Sequence, residues 1–467
     1  MQEDHKKKEA KELVRRFEAF LKNTESHFFE EDDYLEIIYY YQLHEKLNKA
    51  LKACEVALDQ YTYSTDVLAE KADIMVKLND IDAAIEVIDQ ALGFSPTDPD
   101  LLIQKGTLFA LQSNYRDAIN CFEVALDFVE DKDEILYNIG LAYQGMNDFD
   151  KAIEAYKAAL EHNVHNENVL YELAYCLDVE GELEHSISYY EKFIDQDPYS
   201  EYAWYNLGIV YNKLGNFDKA IEAYEFAIAI DEDFSSAYFN LGNAFMNKER
   251  FSDALRGYQK TYEIEGASAE TFCHMGAAYE KLKQFDLAIK YYQKASKIDQ
   301  LYHEAWYGIG VSLALQERWY ESIHFLARAQ KLENSNPLYL KALAEAEFKS
   351  GNIVSALEAY MALCELEPEQ SENWADWSLI YYEQGDFENA LAIIEGGLNQ
   401  LPDHADLIYR KAIYQIGAGE YKEAFRTLEF ALILDYEGHQ VLFDFFPNLS
   451  TQKALFKIIE QYRKSNS

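Results

Sequence analysis

The sequence predicts an all-α protein built from stacked antiparallel helix hairpins, and three observations support this class. Similar 34-residue stretches follow one another without insertion from Glu31 to Gly438. In each stretch, apolar residues recur at three- and four-residue steps in two blocks, the pattern of two amphipathic helices. Most of the prolines lie between consecutive stretches, where a helix ends or begins. One such hairpin cannot bury its own apolar face, so the copies must stack.

The copy from Glu201 to Phe234 defines the register, with Glu201 as position 1. Position 20 holds alanine or serine in every copy, because a larger side chain there would push the two helices apart. Position 8 holds glycine, alanine or serine except at Ile38, in the first copy. We attribute that exception to the different neighbour of a terminal repeat. Twelve copies begin, in order, at Glu31, Thr65, Pro99, Asp133, Glu167, Glu201, Ser235, Ala269, His303, Pro337, Ser371 and Ala405.

This pattern resembles the tetratricopeptide repeat (TPR), a 34-residue helix–turn–helix unit. The resemblance implies that residues 31–438 form one array of twelve repeats, wound as a right-handed α-solenoid, or superhelix. It also implies that the first helix of each pair lines a concave groove, chiefly through positions 2, 5, 6, 9, 12 and 13.

The two ends flank the array. Residues 1–30 form an N-terminal amphipathic helix that caps the first repeat, with Leu13 and Phe17 at helical spacing. The basic residues of this helix leave two alternatives open, in which the helix lies in the groove or binds another chain. The basic residues are Lys6, Lys7, Lys8, Lys11, Arg15 and Arg16. Residues 439–467 form C-terminal capping helices, in which Pro447 ends a short apolar segment and Ser450 caps the last helix.

Acidic residues dominate the repeats. The chain carries 42 basic and 83 acidic residues, a formal charge of −41. This field repels nucleic acid and anionic lipid and attracts a protein or peptide with basic residues. The alternative explanation of the acidic excess is that it keeps a long, aromatic-rich array soluble.

The cysteines and the N-terminal residues indicate in which cellular compartment the protein is expected. The five cysteines lie far apart, without a CxxC pair, so we expect neither disulfides nor zinc. The first residues lack the apolar run of a signal peptide or membrane anchor. We therefore expect a cytoplasmic protein without membrane insertion.

Aromatic and asparagine side chains recur at the positions that the family assigns to the groove. Such side chains suit an extended segment of another protein, since asparagine presents both donor and acceptor and tyrosine is a rigid plate with a polar tip. Packing against the adjacent repeat is the alternative role of each tyrosine. The resemblance implies the binding residues Tyr137, Asn138, Tyr171, Tyr205, Asn206, Phe239, Asn240, Asn243, His274 and Tyr307.

No catalytic motif or metal-ligand spacing stands out, so we expect no enzyme activity, no catalytic residue, no cofactor and no metal. The carboxylate clamp of some TPR co-chaperones is disfavoured, because Glu345 stands where that motif needs asparagine after Lys341. The sequence therefore predicts a non-catalytic scaffold or adaptor that binds a partner segment in its groove. The alternative is a structural subunit that self-associates through its terminal helices into a homodimer or larger assembly.

Overall fold

The computed structural model describes residues 2–22, 28–446 and 453–466, and within them it contains helices and no strand. The predicted all-α class is confirmed. The chain divides into two compact units, Met1–Glu232 and Asp233–Ser467. Pro447 and Ser450 lie outside the described residues, and the last helix begins at Lys453 where it is described.

The first unit begins with one helix and continues as helix pairs. Its helices are α1 (Gln2–Leu21), α2 (Glu31–Leu43), α3 (Leu47–Gln60), α4 (Thr65–Lys77), α5 (Ile81–Phe94), α6 (Pro99–Leu111), α7 (Tyr115–Ala125), α8 (Asp133–Gly145), α9 (Phe149–His162), α10 (Glu167–Val179), α11 (Ile187–Gln196), α12 (Glu201–Lys213) and α13 (Phe217–Ile230).

The second unit continues the pairs and ends with shorter elements. Its helices are α14 (Ser235–Asn247), α15 (Phe251–Glu265), α16 (Ala269–Lys281), α17 (Phe285–Ile298), α18 (His303–Ala314), α19 (Trp319–Leu332), α20 (Pro337–Ser350), α21 (Ile353–Leu366), α22 (Ser371–Glu383), α23 (Phe387–Gln400), α24 (Ala405–Gly417), α25 (Tyr421–Leu434), α26 (Val441–Phe445) and α27 (Lys453–Asn466).

The first helix of a pair begins at each residue that opens a 34-residue copy in the sequence. Local chemistry sets several of these starts. Ser64 and Ser200 cap α4 and α12 by accepting a hydrogen bond from the backbone N–H three residues later. Pro99 and Pro337 occupy the first turn of α6 and α20, where a missing N–H costs nothing.

The turn inside each hairpin uses one left-handed residue, always at position 15. Gly215 adopts φ +74° there, a conformation that costs glycine little. Lys283 occupies the same position at φ +58°, which carries a steric penalty for a residue with a Cβ. The tight turn brings the two helices together at once, so the helices of each pair pack against each other in every repeat except the fifth.

In five of the hairpins, an aromatic ring at position 24 covers a glycine at position 8. A Cβ added at Gly208 would lie 2.5 Å from Cε1 of Tyr224, and one added at Gly140 would lie 2.3 Å from Cε1 of Tyr156. The first repeat reverses the sizes, with Ile38 and Cys54 at these positions, both fully buried in one apolar cluster. The large residue at Ile38 is therefore matched by a small one within its own hairpin, in addition to the different neighbour expected for a terminal repeat.

The fifth repeat departs from the regular hairpin. Its second helix is preceded by a 3-10 turn, Leu183–Ser186, and α11 is only ten residues long. Ser186, at position 20, donates a hydrogen bond from its hydroxyl to the carbonyl oxygen of Leu183 over 2.7 Å. This side-chain bond to a nearby backbone group competes with regular helix geometry at that point.

The terminal helices pack against the neighbouring repeats. On α1, Val14 and Phe17 are buried in a cluster with Phe29 and Tyr34, and the rings of Phe17 and Phe29 meet edge to face at 5.9 Å. Near the other end, α27 contacts α25 and buries Leu455 in the last apolar cluster.

Candidate functional site

The first helices of consecutive repeats are neighbours within each unit. In the first unit α2 contacts α4, α6 contacts α8, and α10 contacts α12. In the second unit α16 contacts α18, α18 contacts α20, and α22 contacts α24. Side chains on these helices therefore share a wall, which we call the first-helix face of each unit.

Two of the predicted tyrosines in the first unit pack against their own repeat. The ring of Tyr137 lies 6.1 Å from that of Tyr156, and the ring of Tyr205 lies 6.0 Å from that of Tyr224. Both are half-buried, and burial raises the pKa of the Tyr137 hydroxyl, with Glu172 adding to the effect. The predicted asparagines that follow them, Asn138 and Asn206, are half-buried as well.

Tyr171 differs from these tyrosines because it is 55% exposed. It begins a stripe on α10 that continues, at four-residue steps, through Tyr175 and Val179, which are 46% and 48% exposed. Four residues of an α-helix rise about 6 Å, so the stripe is about 12 Å long. Tyr175 and Val179 were not predicted, although the four-residue spacing from Tyr171 could have indicated them.

Half-buried apolar residues occupy the repeat position of Tyr175 on the adjacent first helices. They are Leu141 on α8 and Ile209 on α12, four residues after Tyr137 and Tyr205 respectively. An exposed stripe with apolar neighbours on the adjacent helices is the kind of patch that marks an interaction site.

Polar bridges between neighbouring first helices border the stripe. The side-chain amide of Gln144 on α8 donates to a carboxylate oxygen of Glu172 on α10 over 2.9 Å. The ammonium of Lys213 on α12 lies 2.5 Å from a carboxylate oxygen of Asp178 on α10. These bridges fix the helices on either side of the stripe and place carboxylates along its edge.

The predicted residues on α14 and α16, in the second unit, form a connected group. The Tyr258 hydroxyl donates to Oδ1 of Asn243 over 2.8 Å, and Nδ2 of Asn243 donates to Oδ1 of Asn240 over 3.4 Å. The ring of Phe239 lies 4.9 Å from that of His274 in an edge contact. Since Asn243 already accepts a hydrogen bond from its own repeat, part of its bonding capacity is used within the protein.

Burial lowers the pKa of His274, against the opposing influence of Glu270 and Glu304. The imidazole therefore favours its neutral form next to Phe239 and Tyr258. Neutral imidazole keeps one donor and one acceptor nitrogen, so it can accept a hydrogen bond from a backbone N–H or donate one to a backbone carbonyl oxygen.

The last predicted residue, Tyr307 on α18, stacks on Tyr339 of α20 with ring centroids 4.6 Å apart. Burial raises the pKa of its hydroxyl, and Glu280 adds to the effect. Tyr307 is thus half-buried between first helices. Of the ten predicted residues, Tyr171 is the one whose ring is mainly exposed.

In the described residues, no group of three or more histidine, cysteine, aspartate or glutamate side chains is arranged to hold a metal ion. In the same part of the chain, no helix combines the length and apolar character needed to cross a bilayer. Burial raises the pKa of the Cys54 and Cys273 thiols to about 12, which makes these cysteines poor nucleophiles.

Comparison with known families matched the Tetratricopeptide repeat in four places. One family model matches residues 134–166, 201–234 and 269–300, and a second matches residues 65–98. Each match begins within one residue of the start of a helix pair. A comparison with curated proteins found no match.

Several solved structures are similar to parts of the chain. MamA is 30% identical over 35% of this chain and 95% of its own, with a TM-score of 0.32. YrrB, described as a TPR protein with an unusual peptide-binding site, is 20% identical over 40% of this chain and 96% of its own, with a TM-score of 0.34.

A third similar structure comes from Cytophaga hutchinsonii. It is the C-terminal part of a TPR repeat-containing protein, 18% identical over 51% of this chain and 98% of its own, with a TM-score of 0.43. The family assignment itself depends on the matched repeats and on helix pairs that keep their 34-residue register from Glu31 onward. This chain belongs to the tetratricopeptide repeat family.

Proposed function

We propose that the protein is a non-catalytic scaffold that binds a segment of a partner protein on the first-helix face of its first unit, at the α10 stripe. The observation that carries this proposal is the exposed series Tyr171, Tyr175 and Val179 on a helix whose neighbours are bridged to it. A pre-formed surface of this kind loses little conformational freedom when a partner binds.

The partner segment carries apolar side chains flanked by lysine or arginine. The apolar side chains cover the stripe, and burying such area is the main source of affinity. The basic side chains meet an acidic molecule of net charge −41, and they lie near Glu172 and Asp178 at the edges of the stripe. Charge of this sign also speeds the encounter of the two proteins.

Peptide display on the intact protein tests this proposal. We expect the selected peptides to combine apolar residues at regular spacing with basic residues. A scrambled peptide of the same composition should bind at least tenfold more weakly, since scrambling keeps the charge and removes the pattern.

A variant pair locates the site. Tyr171→Ser combined with Tyr175→Ser should weaken the selected peptide at least tenfold. The matched control combines Tyr63→Ser with Tyr199→Ser, which removes two exposed tyrosines of the same unit from the connections between helix pairs, outside the first helices. Equal binding by both variants, or equal binding of the scrambled peptide, would refute the proposed site.

A further inference from the structure

A pocket of about 320 Å³ opens where α1 packs against the first helix pair. Its floor is apolar and is formed by Phe17 and Tyr41, which are buried, together with the partly exposed Leu21. This volume lies at the lower end of the range for ligand pockets, enough for a large side chain with part of its backbone. Tyr41 lies on α2, itself a first helix, but none of these residues belongs to the α10 stripe.

The rim of the pocket is basic. Lys22, Lys49 and Lys52 line it, and Glu18 is the one acidic residue among the lining side chains. Lining charge is therefore positive, in a chain whose net charge is −41. A local charge opposite to that of the molecule indicates a partner different from the one that suits the acidic surface.

Glu18 cancels the charge of one of these lysines, Lys49, and leaves the charges of Lys22 and Lys52 at the rim. Its Oε1 atom lies 2.6 Å from the ammonium of Lys49 and accepts a hydrogen bond from the Tyr41 hydroxyl over 3.3 Å. The hydrogen bond from Lys49 lowers the pKa of Glu18, so the carboxylate stays ionised and engaged. Lys52 contacts Glu55 in an exposed pair on α3, and such pairs contribute little and exchange readily for another carboxylate.

We propose that this pocket binds an acidic segment of a partner protein, which inserts one apolar side chain against Phe17 and Leu21 while its carboxylates meet Lys22 and Lys52. This site is independent of the α10 stripe and takes a segment of the opposite charge. The protein then holds two different segments, a basic one at the α10 stripe and an acidic one where α1 packs against the first helix pair.

Fluorescence anisotropy with labelled nonapeptides tests the proposal on the full chain. The probe alternates aspartate and glutamate around a central leucine. One comparison peptide has serine in place of the leucine, and another has lysine in place of every acidic residue. We expect the acidic leucine peptide to bind best and to weaken as salt is added, since exposed charge pairs are screened.

Variants assign the binding to the pocket. Lys22→Gln combined with Lys52→Gln should weaken the acidic leucine peptide about tenfold, since each exposed pair contributes a factor of about two to five. The control combines Lys192→Gln with Lys219→Gln, two exposed lysines of the same unit that contact their own repeats, and should bind as the wild type does. Asn48→Phe, which places a ring at the pocket wall, should also weaken binding.

Each remaining outcome decides the question. No binding up to millimolar peptide, equal binding of the leucine and serine peptides, or equal binding by the Lys22/Lys52 variant and its control would overturn the proposal. Loss of acidic-peptide binding in the Tyr171→Ser and Tyr175→Ser variant would also overturn it, because the two sites would then not be separate. Unchanged binding in that variant supports the pocket whether or not the α10 stripe has a partner.

Discussion

The contact between positions 8 and 24 gives a prediction whose sign depends on the partner residue. With tyrosine at position 224, Gly208→Ala places a Cβ 2.5 Å from Cε1 and 2.7 Å from Cδ1 of Tyr224. Carbon atoms in contact prefer about 3.5–4.0 Å, so the ring must move by about 1 Å. Overpacking of this kind lowers the free energy of unfolding by roughly 1–3 kcal/mol. The higher helix propensity of alanine relative to glycine raises it by about 1 kcal/mol. We expect a net loss of about 1 kcal/mol.

The same substitution should stabilise the protein when the ring is absent. Tyr224→Ile removes the atoms that the new Cβ would meet, so only the propensity gain of about 1 kcal/mol remains. The second repeat already holds this combination, with Ala72 and Ile88 both fully buried. The coupling between the two positions is therefore about 2 kcal/mol, well above the 0.3–0.5 kcal/mol scatter expected of independent sites.

Native-state hydrogen exchange of α12 and α13 measures the effect, because repeat arrays open locally rather than all at once. The wild type, the two single variants and the double variant complete the cycle. A free-energy change for Gly208→Ala that is the same with tyrosine and with isoleucine at position 224 would show that the ring does not set the size of position 8.

Three further predictions concern the ends, the turns and one buried carboxyl. Phe17→Ala should cost about 3–5 kcal/mol of the packing of α1, because it empties a fully buried site; faster proteolysis within α1 checks this, and unchanged cleavage would contradict it. Gly215→Lys should destabilise its hairpin by about 1 kcal/mol and Lys283→Gly should stabilise its own by up to about 1 kcal/mol, because both residues adopt positive φ; urea unfolding tests the pair, and shifts in the same direction would refute it. Burial raises the pKa of Glu280 above its ordinary 4.5, so its contribution to stability is present at low pH and is lost as the pH rises from about 4.5 toward neutrality. Glu280→Gln should therefore flatten this part of the pH dependence of the urea midpoint, and an unchanged slope would count against it.

The register of the helix pairs could be predicted from the sequence because it depends on features that every copy repeats. Small residues at position 20, prolines between copies and apolar spacing within them fix where each first helix begins. The 3-10 turn at Leu183–Ser186 could not be predicted this way. It involves a hydrogen bond from Ser186, and the serine at position 20 of the ninth repeat, Ser322, bonds to Gly310 instead and leaves α19 regular.

The exposure of the candidate binding residues was harder to predict than their position. Tyr137, Tyr205 and Phe239 share a repeat position with Tyr171, yet their rings lie 5.6–6.1 Å from a position-24 tyrosine and are half-buried. The outcome depends on how the second helix of the same repeat presents its ring, which a position-by-position comparison with a family does not contain. Tyr175 occupies position 9, one of the positions that the family assigns to the groove, but only its exposure separates it from the half-buried residues at the same position of other repeats.

Site-specific photo-crosslinking tests the central claim most directly. A benzophenone amino acid would replace Tyr175 on the α10 stripe in one protein and Tyr199, which is 80% exposed outside the first helices, in another. Both proteins would be irradiated with a peptide selected on the wild type. We predict that position 175 crosslinks to the peptide and position 199 does not; crosslinking from position 199 with none from position 175 would contradict the account.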